Sequence, residues 1–91
     1  MKYTHEKKVY VPDSVLTEDK IEDLHDYTYN RWFELNLNLF KRGIIIRTSL
    51  RPFSYGSKRG WQLVVEAPVD VDREIKQWED SVNKKIKEIG K

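Results

Sequence analysis

The chain has 91 residues, 38% of them hydrophobic, 12% aromatic and 35% charged, with a formal net charge of +2. That length supports one hydrophobic core, and the aromatic content argues for a single folded domain over residues 1–91 rather than a disordered segment. Cysteine is absent, which removes disulfides, thiolate metal sites and thiol catalysis; no apolar run reaches the length of a membrane span, and the start lacks the apolar core of a signal peptide, so the expectation is a soluble, cytoplasmic protein.

Residues 2–11 alternate loosely and end Val9-Tyr10-Val11-Pro12. Tyr3, Val9 and Val11 share one parity, which predicts a strand closed by Pro12. The lysines of this strand suit an edge, where charge discourages pairing with another chain.

Thr17 is placed to cap a helix, with Glu18 and Asp19 in the first turn, where the helix dipole favours negative charge. Ile21, Leu24, Thr28, Trp32 and Leu35 recur at spacings of three and four, the period of one buried face. Lys41, Arg42 and Gly43 make a C-terminal signal. Leu35-Asn36-Leu37-Asn38-Leu39-Phe40 alternates apolar and polar like a strand. The helix is read as continuing to about Phe40, with a short extra strand over residues 35–40 as the alternative.

Two β-rich runs follow. In the first, Ile44, Ile46, Thr48 and Leu50 share a side; in the second, Trp61, Leu63 and Val65 do. Between them, Pro52 to Gly60 reads as a long hairpin loop rich in turn residues. Ile44, Ile46, Trp61, Leu63 and Val65 are expected in the core. After Pro68, Asp70 or Asp72 can cap a last helix, along which Val71, Ile75, Trp78, Val82, Ile86 and Ile89 form one stripe. Asp80 and Lys84 stand in i,i+4 spacing of favourable orientation. The fold class is therefore α+β in the order β-α-β-β-α, an antiparallel hairpin sheet with two helices packed on one face. Asp70, Asp72 and Glu74 stand where the double-stranded-RNA-binding family opens its last helix with basic residues, so that resemblance is not drawn.

Charge is segregated along the chain. From Asp13 to Glu34 there are seven acids and two bases; between Glu34 and Glu66 there is no acid, and Lys41, Arg42, Arg47, Arg51, Lys58 and Arg59 are all basic. Cations attract phosphates or carboxylates, and flat rings fill pockets or stack on bases. The candidate partner-binding residues are therefore Arg42, Arg47, Arg51, Phe53, Tyr55, Lys58 and Arg59.

Other chemistry has little support. His5 and His25 are not spaced as metal ligands and are expected to be exposed, and Glu22, Asp23 and Asp26 lack the glycine turn of a calcium loop. There is no phosphate-binding glycine loop and no nucleophile elbow, and Ser54 and Ser57 have no evident base. The expectation is thus a protein without catalytic residues, metal, cofactor or small-molecule substrate. We read it as a non-catalytic binding module, a small inhibitor or adaptor of the kind that phages and mobile elements encode. Its basic-aromatic hairpin would dock on a protein, including one that itself handles nucleic acid. Direct nucleic-acid binding through the same hairpin is the alternative.

Overall fold

The computed structural model describes residues 2–13 and 17–90. Its elements run β1 (Tyr3–Val11), α1 (Glu18–Lys41), β2 (Arg47–Tyr55), β3 (Lys58–Ala67) and α2 (Asp72–Ile89). The strands form one antiparallel sheet in the order β1-β3-β2. The expected β-α-β-β-α order and the α+β class therefore hold, and β1 lies at an edge.

Register fixes which side chains share a face. Val9 pairs with Trp61, Lys7 with Leu63 and His5 with Val65 across β1–β3. Leu50 pairs with Leu63 and Thr48 with Val65 across β2–β3. Val9, Val11, Leu50, Trp61, Leu63, Val65 and Ala67 are buried, and they meet Leu24, Leu35 and Leu39 from α1 and Ile75, Trp78, Val82 and Ile86 from α2. Both helices thus cover the same face. The Tyr29 hydroxyl donates to the Leu50 carbonyl at 3.1 Å, and Trp32 Nε1 donates to Thr48 Oγ1 at 3.1 Å, tying α1 to β2. Thr28 is fully buried, but its hydroxyl is satisfied by donating to the Leu24 carbonyl at 2.7 Å. Of the three tryptophans, Trp61 and Trp78 lie in the core and Trp32 packs at its margin.

The helix continues through the ambiguous stretch. Leu35 and Leu39 are buried one turn apart while Leu37 and Phe40 point to water, so the apparent alternation is a helix with a second apolar face. Gly43, at φ 77°, ends it. Gly43 N–H donates to Phe40 O and Ile44 N–H to Leu39 O, each at 2.9 Å, the paired bonds of a Schellman terminus. This geometry corrects one expectation: residues 44–46 are not strand, because Ile44 is drawn into the helix terminus. Ile44 and Ile46 are half-buried against the core rather than inside it, and Ile45 is exposed.

A second correction concerns the hairpin. Its strands run to Tyr55 and from Lys58, leaving only Gly56-Ser57 as the turn. Gly56 has φ 60° and Ser57 has no positive φ, the pattern of a type II′ hairpin turn with glycine first. Pro52 is accommodated because β2 is an edge strand, where a residue without an N–H need not break a ladder.

Thr17 occupies the N-cap position of α1 without a side-chain capping bond. The N-cap position of α2 is Val71, without a side-chain capping bond, so neither Asp70 nor Asp72 caps the helix as expected; Asp70 Oδ1 instead accepts the Asp72 N–H at 2.9 Å in the turn that leads into it. Asp80 and Lys84 do not pair. Among the described residues, the ion pairs between full charges join Arg31 to Glu34 and Arg42 to Glu74. Among the described residues, no helix is long and apolar enough to cross a membrane.

Candidate functional site

Because side chains alternate along a strand, the parity that buries Leu50 and Leu63 sends the neighbouring residues to the other side of the sheet. Nothing among the described residues packs on that side. It carries Thr4, Glu6, Lys8 and Tyr10 from β1, Arg47, Ser49, Arg51, Phe53 and Tyr55 from β2, and Lys58, Gly60, Gln62, Val64 and Glu66 from β3. Five sequence-predicted residues, Arg47, Arg51, Phe53, Tyr55 and Lys58, therefore share one open face.

The end of this face nearest the turn is built around Gly60. Tyr10 and Phe53 are its register partners on the two flanking strands, and their rings meet edge to face with centroids 5.5 Å apart and planes at 88°. Glycine is required at the centre. A Cβ on Gly60 would fall 1.8 Å from the Val9 carbonyl oxygen, so any side chain would force β1 and β3 apart. Two ammonium groups sit over these rings: Lys8 Nζ lies 5.9 Å from the Phe53 centroid and Lys58 Nζ 5.5 Å from that of Tyr10. Such contacts hold a flexible lysine in place while leaving its charge at the surface. Arg51 and Gln62 are paired in the next register row, with Lys8 opposite Gln62 on the far strand. Acids appear only further from the turn. Glu6 accepts a hydrogen bond from Gln62 Nε2, and Glu66 is opposite Arg47.

Two expected site residues fall elsewhere. Arg59 has the parity of Trp61, so it projects toward the helix layer, where it lines a cleft with Glu18, Asp19, Glu22 and His25. The physical reason is the tight turn: with Lys58 already in the strand, Lys58 and Arg59 must take opposite faces. Arg42 lies beyond α1 and is engaged with Glu74 of α2 through Nη1 and Oε1. Burial pushes the Glu74 carboxyl up, but the Arg42 hydrogen bond, its own backbone N–H and the charges of Arg42 and Arg73 outweigh that, holding it below its ordinary 4.5. Arg42 is thus part of a helix–helix clasp rather than a free cation.

Lys8 and Tyr10 share this face and were not among the sequence-predicted residues. Their parity opposite Val9 and Val11 was visible in the sequence, but their neighbours were not, since only the β1-β3-β2 order brings them beside Phe53 and Lys58. Also missed was an exposed apolar patch on α1, formed by Phe33, Leu37 and Phe40 with Ile45.

The histidines divide. His25 is exposed as expected, with its ring 4.4 Å from that of Tyr29. His5 is half-buried on the helix side of β1, with Nε2 3.7 Å from Asp70 and Nδ1 3.7 Å from Asp72. Among the described residues, no cluster of three His, Asp or Glu side chains is arranged to hold a metal ion.

What the open face offers chemically is a set of cations around an apolar ring pair. It can accept carboxylates or phosphates on Lys8, Arg51 and Lys58, and cover a flat or apolar group on Tyr10, Phe53 and Tyr55. No family model, no curated protein and no solved structure matches the chain, so only its own surface chemistry bears on its function.

Proposed function

We propose that this chain is a non-catalytic binding module, acting in the cytoplasm as a small inhibitor or adaptor, that docks through the open sheet face onto an acidic surface of a partner protein. The observation that carries this reading is the acid-free half of the face nearest the turn. There Lys8, Arg51 and Lys58 surround the Tyr10–Phe53 pair, and the lysines are held over the rings at 5.9 and 5.5 Å. A central aromatic cluster ringed by positioned charges is the anatomy of a protein-binding hot spot. The ring geometry bears on the choice of partner. A base-stacking platform offers free, roughly parallel ring faces to successive bases, whereas Tyr10 and Phe53 are at 88° to one another and each has an ammonium above it. Direct nucleic-acid binding remains the second reading because Tyr55 is 81% exposed on the same face as Lys58.

The test is a pull-down with nuclease-treated and untreated extract, run for the wild type, Lys8→Glu/Lys58→Glu and Glu22→Lys/Asp23→Lys, with direct titration of a single-stranded oligonucleotide beside it. The expected result is nuclease-resistant capture that the lysine reversal abolishes and the α1 reversal leaves intact. Capture that survives the lysine reversal refutes the site. Oligonucleotide binding with log K falling against log salt at a slope of about −3 would identify phosphate contacts by about four cations and favour the second reading.

A further inference from the structure

Polar and charged residues cover most of α1's outer surface, but not all of it. Phe33, Leu37 and Phe40 stand at i, i+4 and i+7 and are 67%, 42% and 70% exposed; Ile45, beside them, is 78% exposed. They line a groove of about 290 Å³ with Ile44 and Ile46 that contains no charged side chain. Large apolar groups in water at four adjacent positions are not the scattered exposure of an ordinary surface. At roughly 200 Å² for each fully exposed large side chain, they leave about 500 Å² of apolar area uncovered, near the upper end for the largest patch on a monomer.

We infer that this patch is the interface of a homodimer, in which α1 packs antiparallel against α1 of a second copy about a two-fold axis near Leu37. Three features select a second copy as the occupant. The first is area: two such patches face to face bury roughly 1,000 Å², the lower bound for a specific interface. The second is neutrality. A two-fold interface sets each patch against itself, which an uncharged surface permits and a charged one resists. The third is the rim. Glu34 and Lys41, two helical turns apart, share one flank of the stripe. A two-fold near Leu37 brings Phe33 against Phe40 of the second copy and, on that flank, Glu34 beside Lys41 of the second copy. Glu34 already accepts from Arg31 at 2.8 Å, through one carboxylate oxygen only. The alternative route to a dimer, edge pairing of β2 with β2, is disfavoured by Pro52 and by Arg47 and Arg51 on that strand.

The dimer is expected in sedimentation equilibrium of the whole chain between about 10 and 500 µM, with a micromolar dissociation constant suited to an interface at the lower size bound. Leu37→Asp/Phe40→Asp should raise that constant at least ~100-fold by burying charge at the centre, with unchanged far-UV circular dichroism. Glu34→Lys and Lys41→Glu should each weaken the dimer, and the two together should restore it. These two substitutions lie outside the core and keep the test valid if the aspartate variant fails to fold. A protein that is monomeric throughout overturns the inference, as does a dimer that the aspartate pair leaves intact. So does a monomer that floats with neutral phosphatidylcholine vesicles, which would assign the patch to lipid. A combined Glu34→Lys/Lys41→Glu variant weaker than either single change overturns the antiparallel arrangement.

Discussion

Replacing Trp78 with alanine is the most direct probe of how two helices hold this sheet. Trp78 is 2% exposed at the middle of α2, and its Nε1–H donates to the Thr28 carbonyl at 3.4 Å. That bond is long, so its net contribution lies at the low end, about 0.5 kcal/mol. The larger effect is the cavity left by the indole: truncating a buried aromatic costs roughly 3–5 kcal/mol. A chain of this length has about 5–14 kcal/mol of stability, at roughly 0.05–0.15 kcal/mol per residue, so the substitution removes a large fraction of it. At about 4–8 °C per kcal/mol for a domain of this size, the melting temperature should fall by at least ~12 °C. Trp78→Phe retains most of the volume and should lose about 1–2 kcal/mol, giving a graded pair even if the alanine variant is unfolded at room temperature. Urea unfolding followed by far-UV circular dichroism reads both. A loss below ~1 kcal/mol for Trp78→Ala, with an unchanged denaturant slope, would refute the packing argument.

Other consequences test separate contacts. Gly60→Ala should destabilise by about 2 kcal/mol or more, because its Cβ would meet the Val9 carbonyl, and proton exchange on β1 should accelerate most. Gly56→Ala meets no atom and should cost only the ~1–3 kcal/mol of placing a side chain in a sparsely populated positive-φ conformation, also read by urea unfolding. Tyr29→Phe should cost about 1 kcal/mol by leaving the Leu50 carbonyl unpaired. For the Arg42–Glu74 clasp, a folded-state carboxyl held below 4.5 contributes stability above pH 4.5 and loses it as pH falls through the lower folded value. The stability difference between wild type and Arg42→Met should therefore be larger at pH 7 than at pH 3, and an equal or larger difference at pH 3 would refute that sign.

The parts of the fold legible in the sequence are those whose determinants are local. Val71, Ile75, Trp78, Val82 and Ile86 all face one core, so spacing alone defines α2 and its buried stripe. The end of α1 was harder because Leu37 and Phe40 serve a second apolar surface. Their positions overlay the core positions Leu35 and Leu39, and the mixture imitates strand alternation. Ile44-Ile45-Ile46 has strong β propensity, yet the Schellman bonds at Gly43 decide its backbone, and such bonds leave no trace in hydropathy. For the candidate site, the basic-aromatic composition pointed to a hairpin but not to a face of it. Counting parity back from the buried Trp61 sends Arg59 inward and Lys58 outward once the strand is carried back to Lys58. Lys8 and Tyr10 were out of reach by any local rule, since they join Phe53 only through the β1–β3 pairing.

The segregation of charge along the sequence becomes a segregation in depth. The acids Glu18, Asp19, Glu22 and Asp23 belong to α1, on the helix side of the sheet, while Lys8, Arg51 and Lys58 lie on the opposite side. Packed layers are about 10 Å apart, slightly more than the Debye length in physiological salt, so the acidic block only partly offsets the attraction that the open face would have for an anionic partner. A net charge of only +2 is therefore a poor guide to how this molecule meets such a partner. The apolar face of α1 obeys a different rule, because burying Phe33, Leu37 and Phe40 gains nothing from low salt. Raising ionic strength should slow association at the open face steeply, while self-association at α1 should weaken only by the screening of its exposed Glu34–Lys41 rim pairs. If both fall equally steeply with salt, the two surfaces are not independent, and the acidic half of α1 must take part in the encounter.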